Sequence, residues 1–147
     1  INNKFVVNSV AFRGKRISID PLERIKIERA AIEKTVKYYK KKKYSVTSVE
    51  NEKIGWDLTA WSKYSELRIE VKGVSGNSLS IELTPNEYLC MKKFKEQYRI
   101  AVLVNALKKS KKLHIFSFAP EKGLWEDEAG NSLKLQEVKS ISAKMWM

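Results

Sequence analysis

The chain has one cysteine, Cys90, and one histidine, His114. A single cysteine closes no internal disulfide and fits a reducing compartment such as the cytoplasm. Together they leave too few nitrogen and sulfur ligands for a zinc site. They also argue against Ser-His-Asp or Cys-His catalysis. Any metal would have to be a hard cation held by carboxylates. Long apolar runs are missing too. No stretch approaches the ~18–20 consecutive apolar residues of a membrane span, and no signal peptide is visible. There is no internal repeat and no low-complexity linker. The first residue is Ile rather than Met, so the expectation is a piece of a longer or processed protein. Negative charge is scarce: 17 acidic residues face 29 Lys and Arg, a net charge of +12.

What is present fits one domain: 147 residues, 43% of them hydrophobic, can bury a core without covalent staples. The positive excess bears on partners rather than fold, and it favours phosphate backbones or anionic membranes. A lysine-rich composition bias is the plain alternative. The charge is uneven. Lys37 and Lys40 to Lys43 crowd the end of one segment, and Lys108, Lys109, Lys111 and Lys112 form a second cluster. Such clusters are usually solvated faces, but they also track nucleic acid.

Asp20 before Pro21 reads as a helix N-cap with Pro in the first turn, opening a helix to about Lys43. Its expected apolar stripe is Leu22, Ile25, Ile32, Val36 and Tyr39. A strand follows over Tyr44 to Val49. "GWDLTAW" and "ELRIEVK" form two strands about a turn at Ser62 to Ser65. "SLSIELT" alternates, with Leu79, Ile81 and Leu83 on one side. Thr84, Pro85 and Glu87 read as a capping box opening a second helix to about Gln97. "YRIAVLVNAL" reads as a strand buried on both faces, and "KLHIFSFAP" as one more. Residues 1–20 read as an irregular lead-in or a strand added from a neighbouring domain. Residues 121–147 read as a C-terminal extension with a last hairpin at Gly130-Asn131. The fold class is α/β, a mixed four- to six-stranded sheet flanked by helices in two or three layers.

Three ionisable residues stand where strands prefer apolar ones. With the turn centred between Lys63 and Tyr64, Asp57 lies opposite Glu70. Glu70 and Lys72, two apart, share a face. Facing carboxylates cost energy unless a cation sits between them. A divalent metal would resolve the conflict, and an exposed hairpin face with a Glu–Lys pair is the plain alternative. Gly55 and Gly73 bracket the cluster, where glycine permits close backbone approach. On the first helix, Glu28 projects into the apolar arc, where an unpaired carboxylate is expensive. Glu33 sits at the arc's edge, where an ion pair with Arg29 would explain it. Thr84, Asn86 and Glu87 follow closely, either as a simple cap or as groups steering Lys72 or a phosphate. Trp56, Trp61, Trp125 and Trp146 are candidate base-stacking residues, with core packing the stronger expectation for the first two. His114 and Cys90 read as structural, and Asn105 as a strand end.

A helix with an inward Glu (Glu28), a strand bearing G-x-D (Gly55-Trp56-Asp57) and a strand bearing E-x-K (Glu70-Val71-Lys72) resemble the PD-(D/E)XK nuclease superfamily. More closely, "IERAAIEKTVKYYKKKKYSVTSVENEKIGWDL", "RIEVKG" and "LTPNEY", over about residues 24–107, resemble the protein NO VEIN C-terminal domain. That domain occurs at the ends of helicases and other multidomain proteins, many from restriction and phage-defence systems. The resemblance implies a restriction-endonuclease-like core over residues 21–120 and a metal-dependent DNA endonuclease using Mg²⁺ or Mn²⁺. By that likeness Asp57, Glu70 and the Val71 carbonyl would hold the metal. Lys72 would position the attacking water or stabilise the phosphate. Glu28, with Glu33 in reserve, would complete the ligand set. DNA, a helicase or target-recognition module and a second copy of the chain are the implied partners. An inactive nuclease-like module that binds nucleic acid or docks a protein is the alternative. Trp56 departs from the Tyr or Pro usual before the motif Asp.

Overall fold

The computed structural model describes residues 2–7, 20–140 and 143–145. Helix α1 spans Pro21–Lys41, entered through Asp20, whose side chain accepts the Leu22 N–H at 3.1 Å. Pro21 stands where a missing N–H costs nothing, and Lys40 and Lys41 end the helix where its dipole is negative. The buried stripe keeps Ile32 and Tyr39 of the expected one, with Val36 packed beside them, and corrects the rest. Ile27, Ala31, Ile32, Thr35 and Tyr39 face inward, whereas Leu22 is 68% exposed and Ile25 also stands in solvent. Small residues set the phase: Ala31 and Thr35 are fully buried against the sheet, and the Thr35 hydroxyl donates to the Ala31 carbonyl at 2.7 Å. A stripe chosen by large apolar side chains misses that contact.

The strands are β1 (Asn2–Val7), β2 (Ser45–Ser48), β3 (Leu58–Trp61), β4 (Glu66–Gly73), β5 (Ile81–Leu83), β6 (Tyr98–Val104), β7 (Lys112–Ala119), β8 (Leu124–Glu126) and β9 (Leu135–Ser140). Helix α2 spans Pro85–Lys93, shorter than expected. The main sheet is six-stranded and mixed, in the order β2-β3-β4-β6-β7-β8. Its one parallel pair is β4–β6, and the crossover between them carries β5 and α2. β6 is the central strand and is buried on both faces. Tyr98, Ile100, Val102 and Val104 pack with Ile81, Leu83 and the α2 residues Cys90 and Met91. Ala101 and Leu103 face α1. The sheet is therefore the middle layer, with α1 on one face and α2 with β5 on the other.

Both terminal segments contribute strands. β1 is a regular strand and not an irregular lead-in: it pairs antiparallel with β5 and β9 in a three-stranded sheet. The rest of the lead-in, residues 8–19, lies outside the described residues. The expected hairpin at Gly130-Asn131 is present: Gly130 has φ +86°, Glu126 bridges Ser132 antiparallel, and Leu133 N–H reaches the Trp125 carbonyl at 2.8 Å. The longer strand that follows the hairpin, β9, pairs with β1. Trp61 is 40% exposed, so its expected core role fails, while Trp56 packs against the core. Trp125 is buried in that core and has no free face for a base. Trp146 lies outside the described residues. His114 bonds Asp127 at 3.0 Å and stacks on Phe116.

Candidate functional site

Strand β3 and the first half of β4 form the hairpin read from the sequence. Leu58 pairs with Ile69 and Trp61 with Glu66, a register that sets Asp57 opposite Glu70. The ladder runs one residue beyond β3, since Asp57 N–H donates to the Ile69 carbonyl at 2.9 Å. The Asp57 side chain turns across the strand end, where its Oδ2 accepts the Val71 N–H at 2.9 Å. Gly55 fixes the approach to Asp57. It has φ +103°, and a Cβ there would collide with the Cys90 sulfur and lie 3.3 Å from Asn86. The buried Tyr98 hydroxyl donates to the Gly55 carbonyl at 2.7 Å. Gly73 does the same for α1, because an added Cβ would lie 2.9 Å from the Ile27 carbonyl.

Glu70 is only 3% exposed. Lys72 Nζ lies 3.4 Å from Glu70 Oε2 and 2.8 Å from Glu87 Oε1. Glu87 has two partners. Its Oε1 also accepts the Thr84 N–H at 3.2 Å, while Thr84 Oγ1 accepts the Glu87 N–H at 3.2 Å. The capping box of α2 thus holds the lysine of β4. Burial pushes the Glu70 carboxyl well above its usual range, and the Lys72 ammonium offsets only part of that rise. Burial also raises Asp57, against the Val71 N–H, the Glu70 hydrogen bond and Lys72, which lower it. The two carboxyls also act on each other: the negative charge of Asp57 adds to the rise of Glu70. For Lys72, burial disfavours the charged form, but Glu70 and Glu87 more than compensate and its pKa rises.

Two adjoining cavities open on this cluster, both lined by Glu50, Asp57, Glu70 and Glu87. One, of about 320 Å³, adds Glu28, Val71, Lys72 and Gly73. The other, of about 350 Å³, adds Lys53, Trp56, Thr84 and Asn86. Every expected site residue except Glu33 therefore lines the cluster. Glu28 does so for a reason other than the expected one. It is exposed at the rim and not packed inward, because the sheet beneath α1 ends at Gly73 and leaves it facing the cavity. Glu33 points to solvent, and no ion pair joins it to Arg29 among the described residues. Glu50 was not foreseen. It lies in a short 3-10 turn, Glu50–Glu52, with Oε2 accepting from Ser48 Oγ at 2.7 Å. No periodicity marks that turn, and closeness in sequence to Asp57 was the only available signal.

An all-oxygen donor set suits a hard cation. Among the described residues, no group of three or more His, Cys, Asp or Glu side chains is arranged to hold a metal. Asp57 and Glu70 alone fit the one or two protein carboxylates that Mg²⁺ uses beside water and phosphate oxygens.

Fold and site define a class: a mixed α/β domain with a buried carboxylate–ammonium cluster toward the C-terminal end of one strand of its parallel pair. The family described as Protein NO VEIN, C-terminal, matches residues 27–116, more than half of the chain, and the chain belongs to that family. No curated protein and no solved structure matches the chain. No helix among the described residues is long and apolar enough to cross a membrane.

Proposed function

We propose that this domain is a metal-dependent DNA endonuclease of the PD-(D/E)XK type, working within a larger restriction or phage-defence protein. The observation that carries the reading is the meeting of Asp57, Glu70 and Lys72 in one cavity, with Glu28 at its rim. Burying two carboxylates side by side is costly unless they serve a ligand. A bound Mg²⁺ or Mn²⁺ would supply Lewis acidity at a phosphoryl oxygen and a more acidic bound water. Asp57 and Glu70 would hold it, with the Val71 carbonyl as a neighbouring oxygen and Glu28 reaching it directly or through water. Lys72 would set its charge against the phosphate as negative charge builds. Glu87 keeps that ammonium in place, and the α2 N-terminus at Thr84 and Asn86 adds N–H groups that favour anions.

The test is supercoiled plasmid incubated with the protein in Mg²⁺ or Mn²⁺. Nicking by the wild type, abolished in Asp57→Ala and Lys72→Ala, supports the reading; nicking that survives both changes overturns the site. Glu28→Gln should impair nicking more than Glu33→Gln, because only Glu28 lines the cavity. One observation favours a second reading, a nuclease-like module that binds without turnover: Lys72 already has two carboxylate partners, and no three-ligand metal set is formed among the described residues. A thermal shift separates the two. Mg²⁺ or Mn²⁺ should raise the melting temperature of the wild type but not of Asp57→Ala; equal shifts, or none, favour the second reading.

A further inference from the structure

The two lysine clusters are alike in sequence, but the fold places them at opposite ends of the sheet. Strands β4 and β6 are parallel, with Lys72 beside Val102 and Gly73 beside Leu103. The chain leaves β6 at Val104, so the turn starting at Asn105 begins three residues beyond the partner of Lys72. That is about 10 Å at strand rise. Helix α1 runs the other way. Ile27 packs by Gly73 and Leu103, while Tyr39 packs with Leu67 at the start of β4. Its lysine-rich end is thus about 20 Å further along the helix axis from Ile27, away from the cavity.

The turn at the cavity end is built to hold its shape. Asn105 enters it in the left-handed region, φ 49°. The β4–β6 ladder continues into it: Val74 N–H reaches the Leu103 carbonyl at 2.9 Å, Asn105 N–H the Gly76 carbonyl at 2.8 Å and Ala106 N–H the Val74 carbonyl at 3.0 Å. Two successive turns follow, Lys108 N–H to the Asn105 carbonyl at 2.9 Å and Lys111 N–H to the Lys108 carbonyl at 3.2 Å. Ala106 is buried beneath α1, yet Lys108, Lys109 and Lys111 are exposed. None of the three forms an ion pair among the described residues. A braced turn with three unneutralised ammonium groups stands beside a cavity lined by five carboxylates, Glu28 among them, and one lysine. Such a cavity repels a phosphate chain unless cations outside it hold that chain in place.

We infer that the Asn105–Lys111 turn is a DNA-binding surface, gripping the phosphate backbone of a duplex next to the carboxylate cavity, while the lysines ending α1 take no part. The surface rests on the nuclease reading for its role in cleavage, but its binding is measured without cleavage. Each phosphate neutralised on duplex DNA contributes about 0.9 to the slope of log affinity against log salt. Loss of three contacts therefore lowers that slope by about 2 to 3.

The experiment is fluorescence anisotropy with a labelled DNA duplex in EDTA, across a salt series. It compares the wild type, a Lys108→Gln/Lys109→Gln/Lys111→Gln variant and a Lys37→Gln/Lys40→Gln/Lys41→Gln variant. The two variants lose the same charge, so net charge alone predicts equal effects. The inference expects the turn variant to lose affinity by at least tenfold at low salt and to show the shallower slope, with the helix variant within threefold of the wild type. Equal losses, a larger loss in the helix variant, or no DNA binding by the wild type each overturn it. Circular dichroism melts confirm that both variants fold. Plasmid nicking by the wild type, scored separately, judges the nuclease reading: nicking with equal losses removes the surface and keeps the enzyme, and binding at the turn without nicking does the reverse.

Discussion

Glu70 places a carboxyl group in the sheet interior with one ammonium in reach and a second carboxyl as neighbour. Its raised pKa means that the fold favours the protonated form. Glu70 therefore contributes stability that is complete below its ordinary value of 4.5 and is lost as pH rises through the raised, folded-state value. Asp57, also raised, acts in the same direction. Glu70→Gln removes the ionisation and leaves Lys72 its shorter partner, Glu87. Thermal melts in EDTA from acid to neutral pH should show a flatter profile for the variant, with its stability relative to the wild type improving as pH rises. Adding Mg²⁺ should then stabilise the wild type and leave Glu70→Gln unchanged. Parallel pH profiles would mean that Glu70 carries no ionisation cost, and the metal argument would lose its energetic basis.

Glu87 belongs to the helix-capping apparatus and to the cavity at once, so its two roles can be separated by substitution at the scale of an element. Glutamine keeps the oxygen that accepts the Thr84 N–H but withdraws the negative charge from Lys72. Thr84→Ala does the converse: it removes the hydroxyl that accepts the Glu87 N–H. Thr84→Ala should cost about 1 kcal/mol of stability, the usual loss for an N-cap, with nicking retained. Glu87→Gln should melt close to the wild type and nick more slowly, with Glu87→Asp recovering part of the rate. If both variants track stability alone, Glu87 is only a cap. This junction was partly legible in the sequence. Thr84-Pro85-Asn86-Glu87 announces its own box, and the turn between Lys63 and Tyr64 fixes which carboxylates face each other, because both signals are local. The phase of α1 was legible only in part, through Ile32, Val36 and Tyr39. Ala31 and Thr35 mark its contact face by being small, and smallness only reads as a signal once Gly73 and Ala101 are known to lie beneath. Glu28 reached the cavity through where the sheet stops, which no helical projection contains.

At the scale of the whole molecule, the pairing of β1 with both β5 and β9 joins Phe5 to Leu83 and to Glu137, and no local pattern encodes contacts so distant in the chain. Net charge, by contrast, needs no structure to read, but its consequence does. The chain carries +12, and the ion pairs among the described residues involve only Lys42, Lys72, His114 and Lys122. The turn after β6 and the exposed lysines of α1 are left to repel within each cluster and across the molecule. That repulsion reaches about 30 Å at 10 mM salt and about 8 Å at 150 mM, so added salt should relieve it in the folded state. Raising NaCl between those limits should increase the melting temperature by about 3 °C, the shift that about 1 kcal/mol produces in a domain of this size. A DNA duplex should stabilise the protein at the low-salt end, where it neutralises the same lysines, and lose its effect as salt rises. The two melting curves, with and without duplex, should therefore converge at high salt from opposite directions: the free protein climbing, the complex falling toward it. A free protein that melts lower as salt is added would mean that its lysines are already paired and stabilising, and the unneutralised surface inferred for the Asn105–Lys111 turn would have no charge to offer.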